Sequence, residues 1–525
     1  MLSAPASVFR LARAAWVLAR HDSLFPKEYQ HRLPAPARLL GRIARLAARP
    51  DGDANPGARF ARALEKLGPA YVKLGQFLAT RGDIIGEEFA DGLAGLKDRL
   101  PAFSTLEAER AVQAEFGRNP GALFAAFGPP CAAASIAQVH KCQTPEGALV
   151  AVKVLRPGIE ARLARDIRAF RLAAELLRRF APASRRLEPR AFVDTVARAL
   201  AVETDLRREA AAASELADIA AGIATVHVPE VDWRRTGKRI LTTEWVDGVA
   251  LSDPGGLEDA QIDRTALATA VVRAFLISAL DHGVFHADMH EGNLFADAEG
   301  RLVAVDFGIV GRIGKPERRY LAEILHGFLK RDYPRIAAVH FEAGYVPERH
   351  TVEDFAGALR AVGEPIFGKS ADQVSMGRLL LQLFEITEQF DMHLRPELVL
   401  LQKTMVQVEG VARRLDPHHD IWEAARPVVE RWMRRELGPE GVARDAVADV
   451  QRLRAAVRRL PGALEDLNAA AEAMVAGGVR LDDTTVTRLA KAHAEATRGR
   501  SVAVWIRALS GAALAGAAVA AALGG

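Results

Sequence analysis

The spacing of apolar positions changes along the chain, and the changes mark out its elements. Helical spacing runs through residues 8–20, from about Phe60 to Asp98, and through 105–116, 158–180, 190–220 and 265–281. A different pattern interrupts it. Ile136, Gln138 and His140 alternate with Ala137 and Val139. A Pro145-Glu146-Gly147 turn then leads to Leu149-Val150-Ala151-Val152-Lys153-Val154, so a hairpin is expected. Val226–Glu230 and Lys238–Val246 predict two more strands around Gly237. Leu294-Phe295 and Leu302-Val303-Ala304-Val305 flank the turn-like Asp297-Ala298-Glu299-Gly300, a further hairpin. Beyond Gly308 the pattern is helical to about residue 435, with a break at Pro347. Residues 436–500 are helical and charged, broken at Gly438-Pro439 and Pro461-Gly462, and no internal repeat is present.

Composition changes this picture little. The 525 residues are 50% apolar and 26% charged, enough to bury a sizeable core. A net charge of +4 is too balanced for a nucleic-acid binder, despite clusters such as Arg185-Arg186 and Arg434-Arg435. Two cysteines, Cys131 and Cys142, make neither a disulfide framework nor a zinc site. Residues 8–20 are not a signal peptide, because Arg10, Arg13 and Arg20 interrupt the apolar run. They form a basic amphipathic helix that either lies on a membrane or packs on the protein's own body. From Ala508 to Gly525 no residue is charged, and Arg498, Arg500, Arg507 and Trp505 precede the stretch. That predicts a C-terminal membrane anchor with its basic flank in the cytoplasm. An Ala-rich helix packed on protein is the alternative.

The chemistry concentrates in 281–308. Asp288 and Asn293 are five apart, and Asn293 is thirteen before Asp306 of Asp306-Phe307-Gly308. The hairpin between them would bring Asn293 and Asp306 to one end. This is the spacing of a protein-kinase catalytic loop and its metal-binding turn. Phosphoryl transfer asks a protein for a carboxylate to orient the nucleophile and for oxygen ligands to hold Mg²⁺ on the phosphates. Lys153, in a Val-Ala-Val-Lys strand, stands where a kinase places its phosphate-gripping lysine. An acid on the 190–220 helix is needed to hold it, and Glu203, Asp205 and Glu209 are available. Asp205 and Glu209, four apart, share a helical face, whereas Glu203 and Glu209 do not quite. Glu244 and Val246 lie on the strand and linker where adenine would meet backbone groups. Lys73 reads as a surface lysine, and Gly75 inside a helix as a site of close backbone approach.

Lys73-Leu74-Gly75-Gln76, Ala132-Ala133-Ala134-Ser135, Lys153, Glu203-Thr204-Asp205, His286-Ala287-Asp288 and Asp306-Phe307-Gly308 occur in one order in one chain. Over about residues 60–420 this resembles the UbiB family of atypical protein-kinase-like proteins, associated with ubiquinone biosynthesis. The resemblance implies that Lys73 and Gln76 lie on a helical extension covering the active site. It implies that Ala132–Ser135 replace the glycine-rich nucleotide loop and stiffen it. It also implies that Glu203 pairs with Lys153, that Asp205 sits beside Lys73, and that Asn293 and Asp306 hold Mg²⁺. Met289 and Glu291 stand where the family usually has prolines, which puts the rigidity of the loop in question.

The expected fold is α+β, a two-lobed protein-kinase-like fold with helical additions at both ends. Its divisions are a basic N-terminal segment (1–58), the family-specific extension (59–104), an N-lobe with a helical insertion (105–248), a C-lobe (249–435), a helical region (436–500) and the anchor (501–525). The expected activity is that of an atypical kinase or ATPase using ATP (or ADP) and Mg²⁺. It would support ubiquinone biosynthesis at the cytoplasmic face of the membrane, with lipid, polyprenyl-phenol or quinone intermediates and other biosynthetic proteins as partners. A homodimer is an open expectation, and no nucleic acid is expected. The rivals are a nucleotide-binding pseudokinase scaffold and a direct ring hydroxylase. No Gly-x-Gly-x-x-Gly strand–helix unit and no His/carboxylate iron triad supports the hydroxylase.

Overall fold

The computed structural model describes residues 4–23, 55–79, 87–94, 101–180, 188–365 and 396–438, with short pieces at 48, 96 and 385–392. The region 439–525, with the expected helical region and membrane anchor, lies outside the described residues.

The N-terminal helix α1 is Ala4–Arg20. The expected helical region about Lys73 is three helices, α2 (Pro56–Leu67), α3 (Pro69–Ala79) and α4 (Glu87–Ala94). Asn55 caps α2 by accepting from the Gly57 and Ala58 amides, with Pro56 in its first turn. Gly68, at φ 111°, ends it. Their buried faces, including Leu64, Leu67, Ala70 and Val72, form one apolar cluster with Leu163, Ile167 and Phe170. Each such leucine is worth roughly 1.5–3 kcal/mol relative to exposure. Gly75 does admit a close neighbour, but not a backbone. A Cβ there would lie 2.4 Å from Leu64 Cδ1 and 2.5 Å from Leu96 Cδ1.

Helix α5 (Thr105–Phe116) opens on a reciprocal Ser104/Glu107 capping box and closes on Gly117 at φ 64°. A short α6 (Pro120–Leu123) leads to the first sheet. Strands β1 (Ala126–Ala133), β2 (Ala137–Gln143), β3 (Leu149–Leu155) and β5 (Ile240–Glu244) lie in the order β1-β2-β3-β5, all pairs antiparallel. Strand β1 was not evident in the sequence, because Pro129 and Pro130 break its alternation and its register slips around Pro130. Val150, Val152 and Val154 turn into a core with Ala108, Val112 and Phe124. The period of two therefore points Lys153 to the opposite face.

The insertion between β3 and β5 holds α7 (Ile159–Phe180), α8 (Pro189–Glu203), α9 (Leu206–Ala220) and β4 (Val226–His227). The sequence suggested one helix over 190–220, and the structure breaks it at Thr204-Asp205. Thr204 Oγ1 donates back to the Leu200 carbonyl at 3.1 Å. The Leu206 amide goes to the Lys238 carbonyl at 2.9 Å, and Asp205 is extended and caps α9. Asp205 is therefore not a helical neighbour of Glu209. Its carboxylate pairs with Arg207 at 2.7 Å.

The linker after β5 enters β6 (Gly248–Ala250), which pairs with β8 (Leu294–Asp297). Helices α10 (Pro254–Asp259) and α11 (Arg264–Ile277) follow, α11 capped by Asp263. Residues 264–282 are long and apolar enough to cross a membrane, but α11 is mostly buried in the protein. Next come β7 (Val284–His286), β8, β9 (Leu302–Ala304) and β10 (Val310–Arg312). Strands β8 and β9 form the expected antiparallel hairpin, and β7 pairs with β10. The remaining helices are α12 (Lys315–Lys330), α13 (Tyr333–Glu342), α14 (Val352–Gly363), α15 (Pro396–Leu415) and α16 (Ile421–Leu437).

Candidate active site

The loop that carries Asp288 is anchored from below. A π-type turn, Ser278–His282, ends α11 at Gly283. Gly283 sits at φ 72°, and a Cβ there would lie 2.5 Å from the Ile313 carbonyl oxygen. Trp432 Nε1 donates to the Leu280 carbonyl at 2.9 Å, and Arg435 pairs with Asp281 at 2.7 Å. His286 is buried, and its ring packs 5.2 Å from that of Phe307. Burial holds its imidazole below the ordinary histidine range, that is, neutral.

The β8–β9 hairpin does what its sequence implied. Leu294 pairs with Ala304, and just beyond them the Val305 amide donates to the Asn293 carbonyl at 2.9 Å. Asn293 and Asp306 therefore share one end of the hairpin. Asn293 Nδ2 donates to the Asp288 carbonyl at 3.2 Å, which leaves its Oδ1 to coordinate a cation. Asp306 has φ 59°, a strained left-handed backbone for a non-glycine residue. Among the described residues no cluster of three or more His, Cys, Asp or Glu side chains could hold a metal alone. An Asn–Asp pair still fits Mg²⁺, an ion that keeps waters and takes phosphate oxygens.

Two lysines and two glutamates are sorted differently from expectation. Lys153 Nζ lies 2.6 Å from Glu209 Oε1 and 3.3 Å from Asp306 Oδ2. Glu203 instead pairs with Lys73, at 2.7 Å. The expected Glu203–Lys153 pair is thus corrected. The physical reason is the break at Thr204-Asp205, which puts the two glutamates on separate helices aimed at different partners. Burial opposes the charge on Lys153, but the Asp306 and Glu209 carboxylates outweigh it and hold the ammonium above the ordinary lysine range. The Lys153 charge holds Asp306 below the usual carboxylate range. Burial pushes Glu209 up, against the pull of Lys153. Lys73 is no idle surface residue, since it ties α3 to the end of α8. Gln76 is half-buried on the same helix.

Ala132 and Ala133 end β1, while Ala134 and the buried Ser135 make the turn into β2. The turn is pinned, because Arg156 donates twice to the Ala134 carbonyl, at 2.8 and 3.2 Å. In the linker, the Glu244 amide donates to the Glu230 carbonyl at 2.8 Å, and its carboxylate contacts His227 at 2.9 Å. The Glu244 amide is therefore not free for adenine. The Val246 amide has no bond to protein among the described residues.

Helix α15 contributes residues that local motifs did not mark. Thr404 Oγ1 lies 3.3 Å from the Ala287 carbonyl, and Gln407 Nε2 donates to Asp288 Oδ1 at 3.3 Å. Arg414 pairs with Glu291 at 2.5 Å. These positions, at i, i+3 and i+10, share one helical face. The same face reaches one of the two positions where prolines are usual in the family. Glu291 is held by an ion pair, and Met289 is buried against an apolar cavity of about 40 Å³ behind the loop, lined also by Phe275, His286 and Phe307. His290 Nε2 lies 3.7 Å from Asp288. Nothing near Asp288 in sequence pointed to Gln407, which lies 119 residues further on.

A four-stranded antiparallel sheet carrying an acid-held lysine, above a catalytic loop and an Asp-Phe-Gly turn, defines a protein-kinase-like protein. Comparison narrows the class. Residues 95–340 match the ABC1 atypical kinase-like domain, and residues 359–420 match the UbiB helical domain. A protein from Marinobacter nauticus named probable protein kinase UbiB is 39% identical over 440 residues, covering 82% of this chain and 80% of its own. One of the same name from Aeromonas hydrophila is 39% identical over 446 residues, covering 83% and 81%. The solved structure of Rv3197 from Mycobacterium tuberculosis, a complex with erythromycin, superposes with a TM-score of 0.50 at 22% identity, over 75% of this chain and 97% of that one. The last likeness concerns fold alone. The chain belongs to the UbiB family, and α15 lies within the segment that matches its helical domain.

Proposed function

We propose that the chain binds ATP with Mg²⁺ and transfers the γ-phosphoryl group to water or to a small lipid-like hydroxyl, in support of ubiquinone biosynthesis at the membrane. The observation that carries this is Lys153 standing between Glu209 and Asp306. A half-buried lysine held on one side by a helix acid and on the other by the aspartate of the Asp-Phe-Gly turn suits the gripping of ATP phosphates. Asn293 and Asp306 would hold the Mg²⁺, which neutralises developing charge on the phosphates. Asp288, oriented by Gln407, positions the nucleophile. The pinned Ala132–Ser135 turn covers the phosphates, and the backbone around Val246 receives the base.

The Lys73–Glu203 pair ties the helical extension to the end of α8, and under this reading Lys73 and Gln76 act as a cover. That favours a small acceptor over a protein hydroxyl. Partners under this reading are lipid, polyprenyl-phenol intermediates and their enzymes. The test is a cell whose only copy carries Asp288→Asn. Accumulation of quinone precursors there supports the role, and normal quinone levels exclude it.

A further inference from the structure

Helix α1 packs on the protein's own body along one side and is exposed along the other. Ala14 joins the apolar cluster of α2, α3 and α7, and Arg10 pairs with the buried Asp166 of α7. The other side is bare. Val8 is 56% exposed, Phe9 72% and Trp16 58%. Phe9, Arg13 and Trp16 sit at i, i+4 and i+7 and so form one stripe. Soluble surfaces scatter single apolar residues, but two aromatic rings and a valine on two turns of one helix are a patch.

Beside this stripe lies a cavity of about 120 Å³ between α1, α3 and α7, lined by Arg10, Arg13, Tyr71, Arg162, Arg165 and Asp166, with Leu67. Four arginines face one aspartate, so three positive charges are uncompensated within the lining. Arg10 is committed to Asp166. Among the described residues Arg162 hydrogen-bonds only the Leu67 carbonyl, at 3.4 Å. Among the described residues Arg13 and Arg165 have neither a hydrogen bond nor an ion pair to protein. Burial pushes the Tyr71 hydroxyl up to about 12, which keeps it a neutral donor. Guanidinium groups around a phosphate-sized hollow match an oxyanion bidentately.

We propose that α1 and this arginine-lined cavity dock the chain on an anionic phospholipid surface, with a headgroup phosphate among Arg13, Arg162 and Arg165 and the Phe9 and Trp16 rings at the acyl boundary. The occupant follows from complementarity. A helix with aromatic residues and arginines on its open face lies in the interface plane. Basic residues are drawn to an anionic leaflet, and the attraction acts within a Debye length of it. The inference rests on the membrane placement proposed above and names the surface responsible.

The test is hydrogen–deuterium exchange on the full chain with vesicles of neutral phosphatidylcholine, with vesicles containing phosphatidylglycerol, and with inorganic phosphate alone. Phosphatidylglycerol vesicles should slow exchange of α1 amides and of the first turns of α7 about five-fold or more, and neutral vesicles should not. Arg13→Glu/Arg165→Glu and Phe9→Ser/Trp16→Ser should each remove that protection. If the charge reversal loosens α1 already in buffer, the ring pair, exposed in the free protein, decides. Equal protection by neutral vesicles overturns the proposal, and so does full protection by phosphate with no further gain from vesicles, which would mean a free-anion site. Vesicle binding by the rest of the chain with α1 unprotected sinks this inference alone. No vesicle binding at all sinks the membrane placement as well.

Discussion

Glu209 Oε1 lies 2.6 Å from Lys153 Nζ, and the nearer acid of the preceding helix, Glu203, is engaged 2.7 Å from Lys73. Six residues separate the two glutamates, yet one pairs with Lys153 of the sheet and the other with Lys73 of the helical extension. A hydrogen bond to a charged partner is worth about 1.5–3 kcal/mol. Glu209→Gln should therefore lower ATP turnover roughly 10- to 100-fold. Glu203→Gln should leave ATP affinity within about three-fold, because Lys153 keeps its partners. Steady-state ATPase rates and nucleotide titrations on the two variants check this, and the reverse order of severity would contradict the assignment.

Gln407 is a positioning residue, since its amide reaches the Asp288 carboxylate from α15. Gln407→Leu keeps the volume and removes the donor. It should reduce kcat about ten-fold with little change in KM for ATP, the signature of a contact that acts on the chemical step. A raised KM with kcat intact would assign Gln407 to binding instead.

The Glu291–Arg414 pair is partly exposed, and such pairs contribute about 0–1 kcal/mol to stability. Its role is to fix the loop. Arg414→Glu should cost a few-fold in kcat and barely move the melting temperature. Glu291→Arg combined with Arg414→Glu should recover most of the rate. Additive losses in that double-mutant cycle would show that the two side chains do not act together.

Glu409, on the same helix, is buried, and among the described residues its Oε2 has no hydrogen-bond partner. Burial pushes its carboxyl up to about 7 from an ordinary value of 4.5. The folded chain thus holds a proton that the unfolded chain releases between those values. The stability this confers is complete below the unfolded value. It is lost as pH rises toward about 7, and the loss is flat beyond. Glu409→Gln removes that dependence. Its melting temperature relative to wild type should rise from about pH 5 to about pH 8, and a constant difference would show that Glu409 is ionised in the folded state.

Gly283 tests the floor of the site. Gly283→Ala must force a Cβ against the Ile313 carbonyl at positive φ, so it should destabilise by more than about 1 kcal/mol and lower the melting temperature. An unchanged melting temperature would mean that the loop floor is loose.

The residues that announce the site in sequence are those whose chemistry is local. Asn293 and Asp306 flank one hairpin and Asp288 lies on the loop that enters it, and alternation of Val150, Val152 and Val154 fixes the face of Lys153. The fold class followed from the same stretches. The partner of Lys153 did not, because it depends on a helix break set by the Thr204 hydroxyl and by an amide diverted to Lys238. The signal was present, since Thr-x-Leu with an intervening Asp is a cap-type sequence. The resemblance nonetheless favoured Glu203. Strand β1 was masked by its prolines. Gln407 and Arg414 were invisible because only tertiary packing brings α15 to the loop.

Phosphoryl transfer from ATP is the role proposed above for Asp306 and Asp288. It is tested most directly by Mg²⁺-dependent ATP hydrolysis on the full-length protein, with and without membrane lipid, for wild type, Asp306→Asn and Asp288→Asn. Wild type should hydrolyse ATP, and the rate should fall at least about 100-fold in each variant while both keep the wild-type melting temperature. Equal inertness of all three proteins, each still folded and binding nucleotide, would contradict it and leave a scaffold in its place.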